Sequence, residues 1–169
     1  ILVSSLNLRV FDALAAGAVD FVRKPDGTES NASFLHALAQ KIIVASRAKV
    51  FRSAPARTAA SASASPASAV PPVSALGSST TLDNTIIGLG ASTGGTEATL
   101  EVLKHLPADI PGMVIVQHMP VGFTKMYAER LNRLCKMEVR EAVSGDEIHR
   151  GLALIAPADL QMRVVRMGS

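Results

Sequence analysis

The amino-acid sequence predicts an α/β protein with parallel strands, organised as two parts on either side of a linker. Two observations carry the fold class. Short apolar runs of strand length alternate with longer stretches whose apolar residues recur every three to four positions, and strand–helix–strand order appears on both sides of the break. The break itself, residues 53–82, is Ala, Ser, Pro and Thr with little else.

Ile1 to Ser5 reads as a buried strand. Leu6, Val10 and Leu14 follow at helical spacing and stop at Gly17, a residue that tolerates the left-handed conformation of a helix end. Ala18 to Val22 reads as a second strand, closed by Arg23-Lys24-Pro25. Residues 33–50 form the clearest helix, with Phe34, Leu38, Ile42 and Ala45 on one stripe and Ser33 as its cap. Two parallel strands cannot make a sheet alone, and Ile1-Leu2-Val3 opens inside a strand-like run, so the sequence reads as a fragment cut at both ends. Residues 53–82, with Pro66, Pro71 and Pro72, bury too little to offset their ordering entropy and read as a flexible linker. Its chargeless stretch from 58 to 82 spans roughly 25–30 Å if coil-like.

The rhythm then restarts. Thr85 to Leu89 reads as a strand, Gly90 to Gly95 as a glycine-rich turn, and Thr96 to Leu106 as a helix ended by Pro107. Met113 to Val116 reads as a buried strand, and Phe123, Tyr127, Leu131 and Leu134 stripe another helix. Leu152 to Ala156 and Met162 to Val165 look like further short strands. Together these predict the first part of a doubly wound parallel sheet.

Composition narrows the function classes. With 48% hydrophobic and 18% charged residues, disorder throughout is excluded. No apolar run approaches the roughly 18 residues of a membrane span, and no basic-then-apolar leader is present, so a cytoplasmic protein without membrane insertion is expected. The single cysteine, Cys135, agrees with a reducing compartment, and no Cys/His cluster has zinc spacing. The net charge of +3 is unevenly placed: residues 1–57 hold eight basic and four acidic side chains, residues 83–169 nine and ten. With 4% aromatics and no Trp there are few stacking platforms, so nucleic acid is not an expected partner.

Gly90-Ala91-Ser92-Thr93-Gly94 satisfies G-x-S-x-G between a predicted strand and a predicted helix, the context of a serine nucleophile elbow. The helix N-terminus behind it offers N–H groups to developing negative charge. In the other reading of the same residues, Ser92 or Thr93 merely caps the helix. Gly88-Leu89-Gly90 begins a dinucleotide-binding G-x-G-x-x-G, but Thr93 stands where the third glycine belongs, and the only acid at ribose distance, Asp109, follows Pro107 rather than a strand. His118 lies just past a strand end, at the sheet edge that also carries Ser92, and is the candidate base; His36, His105 and His149 sit on helices or in a loop. Asp109, Asp146 and Asp159 qualify as the orienting acid by type only, and the acid is expected outside the sequence. Cys135, on an apolar-striped helix beside Lys136, reads as packing.

Residues 86–97 (Ile-Ile-Gly-Leu-Gly-Ala-Ser-Thr-Gly-Gly-Thr-Glu), Gln117-His118-Met119-Pro120, Gly122-Phe123-Thr124 and Leu154-Ile155-Ala156-Pro157 closely resemble the CheB family of chemotaxis protein-glutamate methylesterases, which are also glutamine deamidases. The resemblance implies that Ser92 is the nucleophile, His118 the base and the Thr93 backbone N–H an oxyanion donor, with the orienting aspartate in a downstream glycine-rich motif outside the chain. It also implies that residues 1–52 are the end of a flavodoxin-like response-regulator receiver domain, 53–82 the linker, and 83–169 the N-terminal part of the methylesterase domain. Val3-Ser4-Ser5-Leu6 and Phe21-Val22-Arg23-Lys24-Pro25 resemble receiver strand ends. Ser4 then contacts the phosphoryl group, Lys24 pairs with its oxygens, Phe21 is the aromatic switch, and a cis Lys24–Pro25 bond fits the turn. The phosphoacceptor aspartate and the acids for a magnesium ion precede Ile1 in this reading; the chain itself holds no metal site and the esterase takes no cofactor. The implied partners are methyl-accepting chemoreceptors as substrate and the histidine kinase CheA as phosphodonor, at cytoplasmic receptor arrays. The resemblance further implies that the unphosphorylated receiver covers the active site. The fragment alone is expected to be inactive.

Overall fold

The computed structural model describes residues 1–5, 10–27, 30–48 and 82–167. Its elements in chain order are β1 (Leu2–Ser4), α1 (Val10–Ala15), β2 (Phe21–Arg23), α2 (Asn31–Ala45), β3 (Ile86–Ala91), α3 (Gly95–Leu103), β4 (Gly112–Gln117), α4 (Phe123–Leu134), β5 (Glu138–Glu141) and β6 (Leu152–Ile155). β1 and β2 form a two-stranded parallel sheet, and the other four strands a parallel sheet in the order β3-β4-β6-β5. The α/β class and parallel pairing expected from the sequence are therefore present on both sides of residues 53–82. Linker residues 53–81 lie outside those described, and Leu82 and Asp83 already form a helical turn before β3.

Period-two alternation builds the larger sheet. Ile87, Met113, Ala153 and Val139 lie in one cross-strand row, and Leu89, Ile115, Ile155 and Glu141 in the next. Most of these side chains face α3 and α4 and join a core with Leu103, Phe123, Tyr127 and Leu131. Tyr127, fully buried, donates its hydroxyl to the Thr96 carbonyl at 3.0 Å and ties α4 to α3. Burial pushes the phenol well above its ordinary pKa, so it stays a neutral donor. Arg130 adds a second tie through both terminal guanidinium nitrogens to Glu97, at 2.6 and 3.3 Å. The opposite face of β3 and β4 is open: Ile86 and Val116 are about half exposed.

The smaller sheet packs onto this assembly through aromatic rings. Val10, Leu14 and Phe21 belong to the same buried cluster as Phe123 and Tyr127. Phe11 stacks on Tyr127 with ring centroids 5.8 Å apart, Phe21 lies 4.7 Å from Phe123, and the Arg130 guanidinium sits 5.5 Å from the Phe11 ring. Lys41 of α2 donates to the Phe21 carbonyl and to Asp20.

Several expectations are corrected. The second strand is Phe21–Arg23 rather than Ala18–Val22, because the Ala18 N–H closes α1 on the Ala13 carbonyl and does not pair. Gly17 does take the expected left-handed conformation, at φ 106°. Ser30, not Ser33, caps α2, accepting from the Ser33 N–H at 3.1 Å, and none of the Phe34–Leu38–Ile42 stripe is fully buried, Ile42 being half exposed. The Lys24–Pro25 bond is trans, with the Lys24 N–H held by the Ser4 carbonyl. Helix α3 ends at Leu103, since the His105 and Leu106 N–H groups bond only three residues back, to Val102 and Leu103. Met162–Val165 forms no strand; among the described residues no neighbour pairs with it, and Val165 is largely exposed. Strand β5 was not expected, because Glu-Val-Arg-Glu offers one apolar residue to the alternation.

Gly112 opens β4 where the chain from 148 to 149 crosses it. A Cβ there would lie 2.8 Å from the His149 carbonyl oxygen and 3.1 Å from its nitrogen. Backbone yields less readily than a side chain, so Gly112→Ala destabilises the fold by about 1–3 kcal/mol, read as a lower urea midpoint at unchanged slope.

Candidate active site

Pairing of β3 with β4 runs in register from Ile86↔Gly112 to Ala91↔Gln117. Ser92 and His118 are the next residue on each strand, and the ladder continues into them: the His118 N–H donates to the Ala91 carbonyl at 3.1 Å. Adjacent strands lie about 4.8 Å apart, so the two residues are neighbours at the carboxyl edge of the sheet. Both are exposed. Among the described residues, neither the Ser92 hydroxyl nor the His118 ring has a hydrogen-bond partner, and they are not bonded to each other. Such contacts commonly tighten only around a bound substrate.

The turn after Ser92 concentrates its unusual backbone on glycine. Gly94 is left-handed, at φ 78° and ψ −8°, and is the N-cap of α3 with no side-chain cap hydrogen bond. Among the described residues, Asp159 is the sole non-glycine with positive φ, so Ser92 itself is unstrained, unlike the strained serine of an elbow. Neither Ser92 nor Thr93 caps the helix. The Thr93 and Gly94 N–H groups have no acceptor among the described residues and lie at the positive end of α3. The Ser92 carbonyl is held twice, by the Gly95 N–H at 2.7 Å and by the Gln117 carboxamide at 2.9 Å. Gly95 must be small, because a Cβ there would collide with the Ala91 methyl and the Gln117 carboxamide.

The remaining candidates separate clearly. Asp109 precedes β4, at the opposite edge, and accepts from Arg150 at 3.2 Å. Gly88 and Gly90 lie inside β3 rather than in a turn, which removes the dinucleotide reading. Asp146 is bound by Arg140 at 2.6 Å and by the Val143 N–H at 2.7 Å, and these bonds hold its carboxyl below the usual range, Arg140 foremost. Asp159 follows β6 in a left-handed conformation and makes no bond to His118. Ser4 and Lys24 come together at the carboxyl edge of the small sheet, whereas Phe21, at the start of β2, points its ring at Phe123. Among the described residues no group of three His, Cys, Asp or Glu side chains is arranged to hold a metal, and no helix is long and apolar enough to cross a membrane.

Residues 87–168 match the family model described as CheB methylesterase. The likeness extends beyond them. The chain is 44% identical over 166 residues to protein-glutamate methylesterase/protein-glutamine glutaminase 2 of Syntrophomonas wolfei, covering 97% of this chain and 45% of that protein. It is 45% identical over 174 residues to the protein-glutamate methylesterase/protein-glutamine glutaminase of Syntrophotalea carbinolica, covering 99% of this chain and 47% of that protein. The chain spans about half the length of the curated relatives it matches. A solved CheB methylesterase catalytic domain from Thermotoga maritima is 43% identical, covering 44% of this chain and 40% of that one, with a TM-score of 0.43.

The buried glutamine under the turn that carries Ser92 is what sequence reasoning missed. Counting by two from Met113 through Ile115 puts Gln117 on the core face of β4, where a polar residue is out of pattern. Cys135 is the half-buried C-cap of α4, and burial raises its pKa. At pH 8 it is therefore less thiolate than a free thiol, and iodoacetamide alkylates it more slowly than it does glutathione, by mass-shift time course.

Proposed function

We propose that this chain carries the nucleophile and base of a protein-glutamate methylesterase and protein-glutamine glutaminase acting on chemoreceptors. The observation that carries the reading is a serine hydroxyl left out of helix capping, one ladder step from a histidine and beside two N–H groups without acceptors among the described residues. The alternative, an interaction module in which Ser92 is a helix cap, has no capping hydrogen bond in its favour.

His118 takes the hydroxyl proton as Ser92 Oγ attacks the γ-carbonyl carbon of a receptor glutamate methyl ester. The carbonyl oxygen becomes an oxyanion that receives the Thr93 N–H, a type of interaction whose loss typically costs about 10²–10³ in rate. The C–O bond to the methoxy group breaks, and methanol leaves with the proton from His118. Water, deprotonated by His118, then attacks the acyl carbon, the bond to Ser92 Oγ breaks, and His118 returns the proton to that oxygen, freeing the glutamate and the enzyme. With glutamine as substrate, ammonia leaves in place of methanol. None of the acids among the described residues bonds the His118 ring, and by family resemblance the orienting aspartate comes from a glycine-rich motif beyond residue 169. Residues 1–169 alone therefore give negligible turnover.

Residues 1–52, in this reading, are the closing part of a receiver domain, with residues 53–82 as the connection to residues 83–169. The chemotaxis histidine kinase CheA phosphorylates the receiver at cytoplasmic receptor arrays, and phosphorylation uncovers the active site. The packing of Phe21 on Phe123, and of Phe11 on Tyr127, supports such a coupling. The esterase step takes no cofactor. A magnesium ion belongs with receiver acids, and the described residues contain no cluster that fits one.

The test is methanol release from methylated receptor membranes by the full-length protein. Ser92→Ala and His118→Ala each lower release at least about 10³-fold without weakening receptor binding. Release that persists in Ser92→Ala removes the serine from the chemistry and restores the module reading.

A further inference from the structure

Two carbonyl oxygens, one from each proposed catalytic residue, converge on a single side chain. The Gln117 Nε2 donates to the Ser92 carbonyl at 2.9 Å and, more weakly, to the His118 carbonyl at 3.4 Å. Both partners can only accept, so the orientation of the carboxamide is fixed: the nitrogen faces the two carbonyls and the oxygen faces away. That oxygen, Oε1, is buried without a hydrogen-bond partner among the described residues, and the residue as a whole is 6% exposed.

A side chain selected for stability alone has no reason to be glutamine here. Met113 and Ile115, four and two residues earlier on the same face, fill the core with apolar groups, and a buried unpaired oxygen is destabilising. The structure also accommodates it specifically. Gly95, in the first turn of α3, leaves the space that the carboxamide occupies; a Cβ there would overlap Oε1. The retained polar atom is the donor, and what it donates to is the backbone of Ser92 and His118.

We propose that Gln117 is a positioning residue that ties the turn carrying Ser92 to the turn carrying His118. The proposal rests on the methylesterase reading above. The β3–β4 ladder fixes the two residues up to Ala91 and the His118 N–H. Beyond that bond the strands end, and the carboxamide is the one side chain among the described residues that bonds to both turns. Its two hydrogens hold the Ser92 peptide against the His118 peptide, and so set the approach of the hydroxyl to the ring. Gln117 touches no substrate atom; it acts through the backbone of its neighbours.

The experiment compares Gln117→Met with wild type in the full-length protein, by steady-state methanol release and by the rate at which a small fluorophosphonate labels Ser92. Methionine keeps the unbranched shape and removes both donors. The expected result is a kcat lower by about 10–100-fold, the scale of a 1 Å misplacement, with KM within about twofold and labelling slowed in parallel. Gln117→Glu keeps the shape but offers acceptors to both carbonyls, and its kcat falls at least as far; it carries the test if Gln117→Met fails to unfold cooperatively. A kcat and labelling rate within about twofold of wild type in either folded variant overturn the positioning role, while the Ser92→Ala control still reports on the esterase. A loss expressed in KM alone also overturns it. Wild-type protein that releases no methanol overturns both readings.

Discussion

The register between β3 and β4 is the constraint on which the site depends. In a parallel pair the hydrogen bonds are evenly spaced, so pairing Ile86 with Gly112 dictates that Ala91 meets Gln117. Ser92 and His118, 26 positions apart in sequence, become neighbours without any direct bond between their side chains. A slip of one residue would turn Met113 and Ile115 out of the core and carry Gln117 away from the Ser92 carbonyl. The hydrophobic demand of the sheet and the geometry of the two turns are thus met by the same alignment. The open space over Gly88 and Gly90 and the exposure of Val116 show that the register is held from one face, by α3 and α4.

Those two helices do more than cover the sheet. Tyr127 and Arg130, one turn apart on α4, reach Thr96 and Glu97 in the first turn of α3. The helix that follows Ser92 is therefore anchored close to its N-terminus, where backbone N–H groups are open. Phe11 stacks on Tyr127 and lies under Arg130, and Phe21 meets Phe123 at the start of α4. The small sheet consequently rests on the same side chains that fix α3. Arg130, largely buried between Glu97 and an aromatic face, is a group whose partners cannot be removed singly without leaving charge poorly solvated.

Much of this was legible in the sequence, for identifiable reasons. Strand–helix alternation follows from apolar period, and Ser92 stands out in a G-x-S-x-G turn between strand and helix, as His118 does just past a strand end. What failed did so where local pattern is ambiguous. Ser30 and Ser33 are equally good caps by type, and only the backbone at Ser30 (φ −70°, ψ 142°) decides between them. Met162–Val165 has strand composition, but a strand needs a neighbour, and composition cannot supply one. Strand β5 pairs with β6 through backbone bonds that leave Glu138 exposed, so charge conceals it. Gln117 was visible as part of a motif, yet its burial follows from the period-two count and its partners only from the fold.

The turn between β3 and α3 divides incompatible demands among different residues. A tight strand-to-helix reversal needs a left-handed residue, and Gly94 takes that conformation at no steric cost. A helix start usually recruits a serine or threonine hydroxyl to satisfy its N–H groups, but glycine at the cap forgoes only a few tenths of a kcal/mol relative to those residues. Ser92 is thereby spared both the strain and the capping bond. Its carbonyl, not its hydroxyl, absorbs the local hydrogen bonding, from Gly95 and Gln117. The fold restrains the backbone of this serine and leaves its side-chain oxygen uncommitted, and a hydroxyl that serves no structural bond is one that chemistry can use.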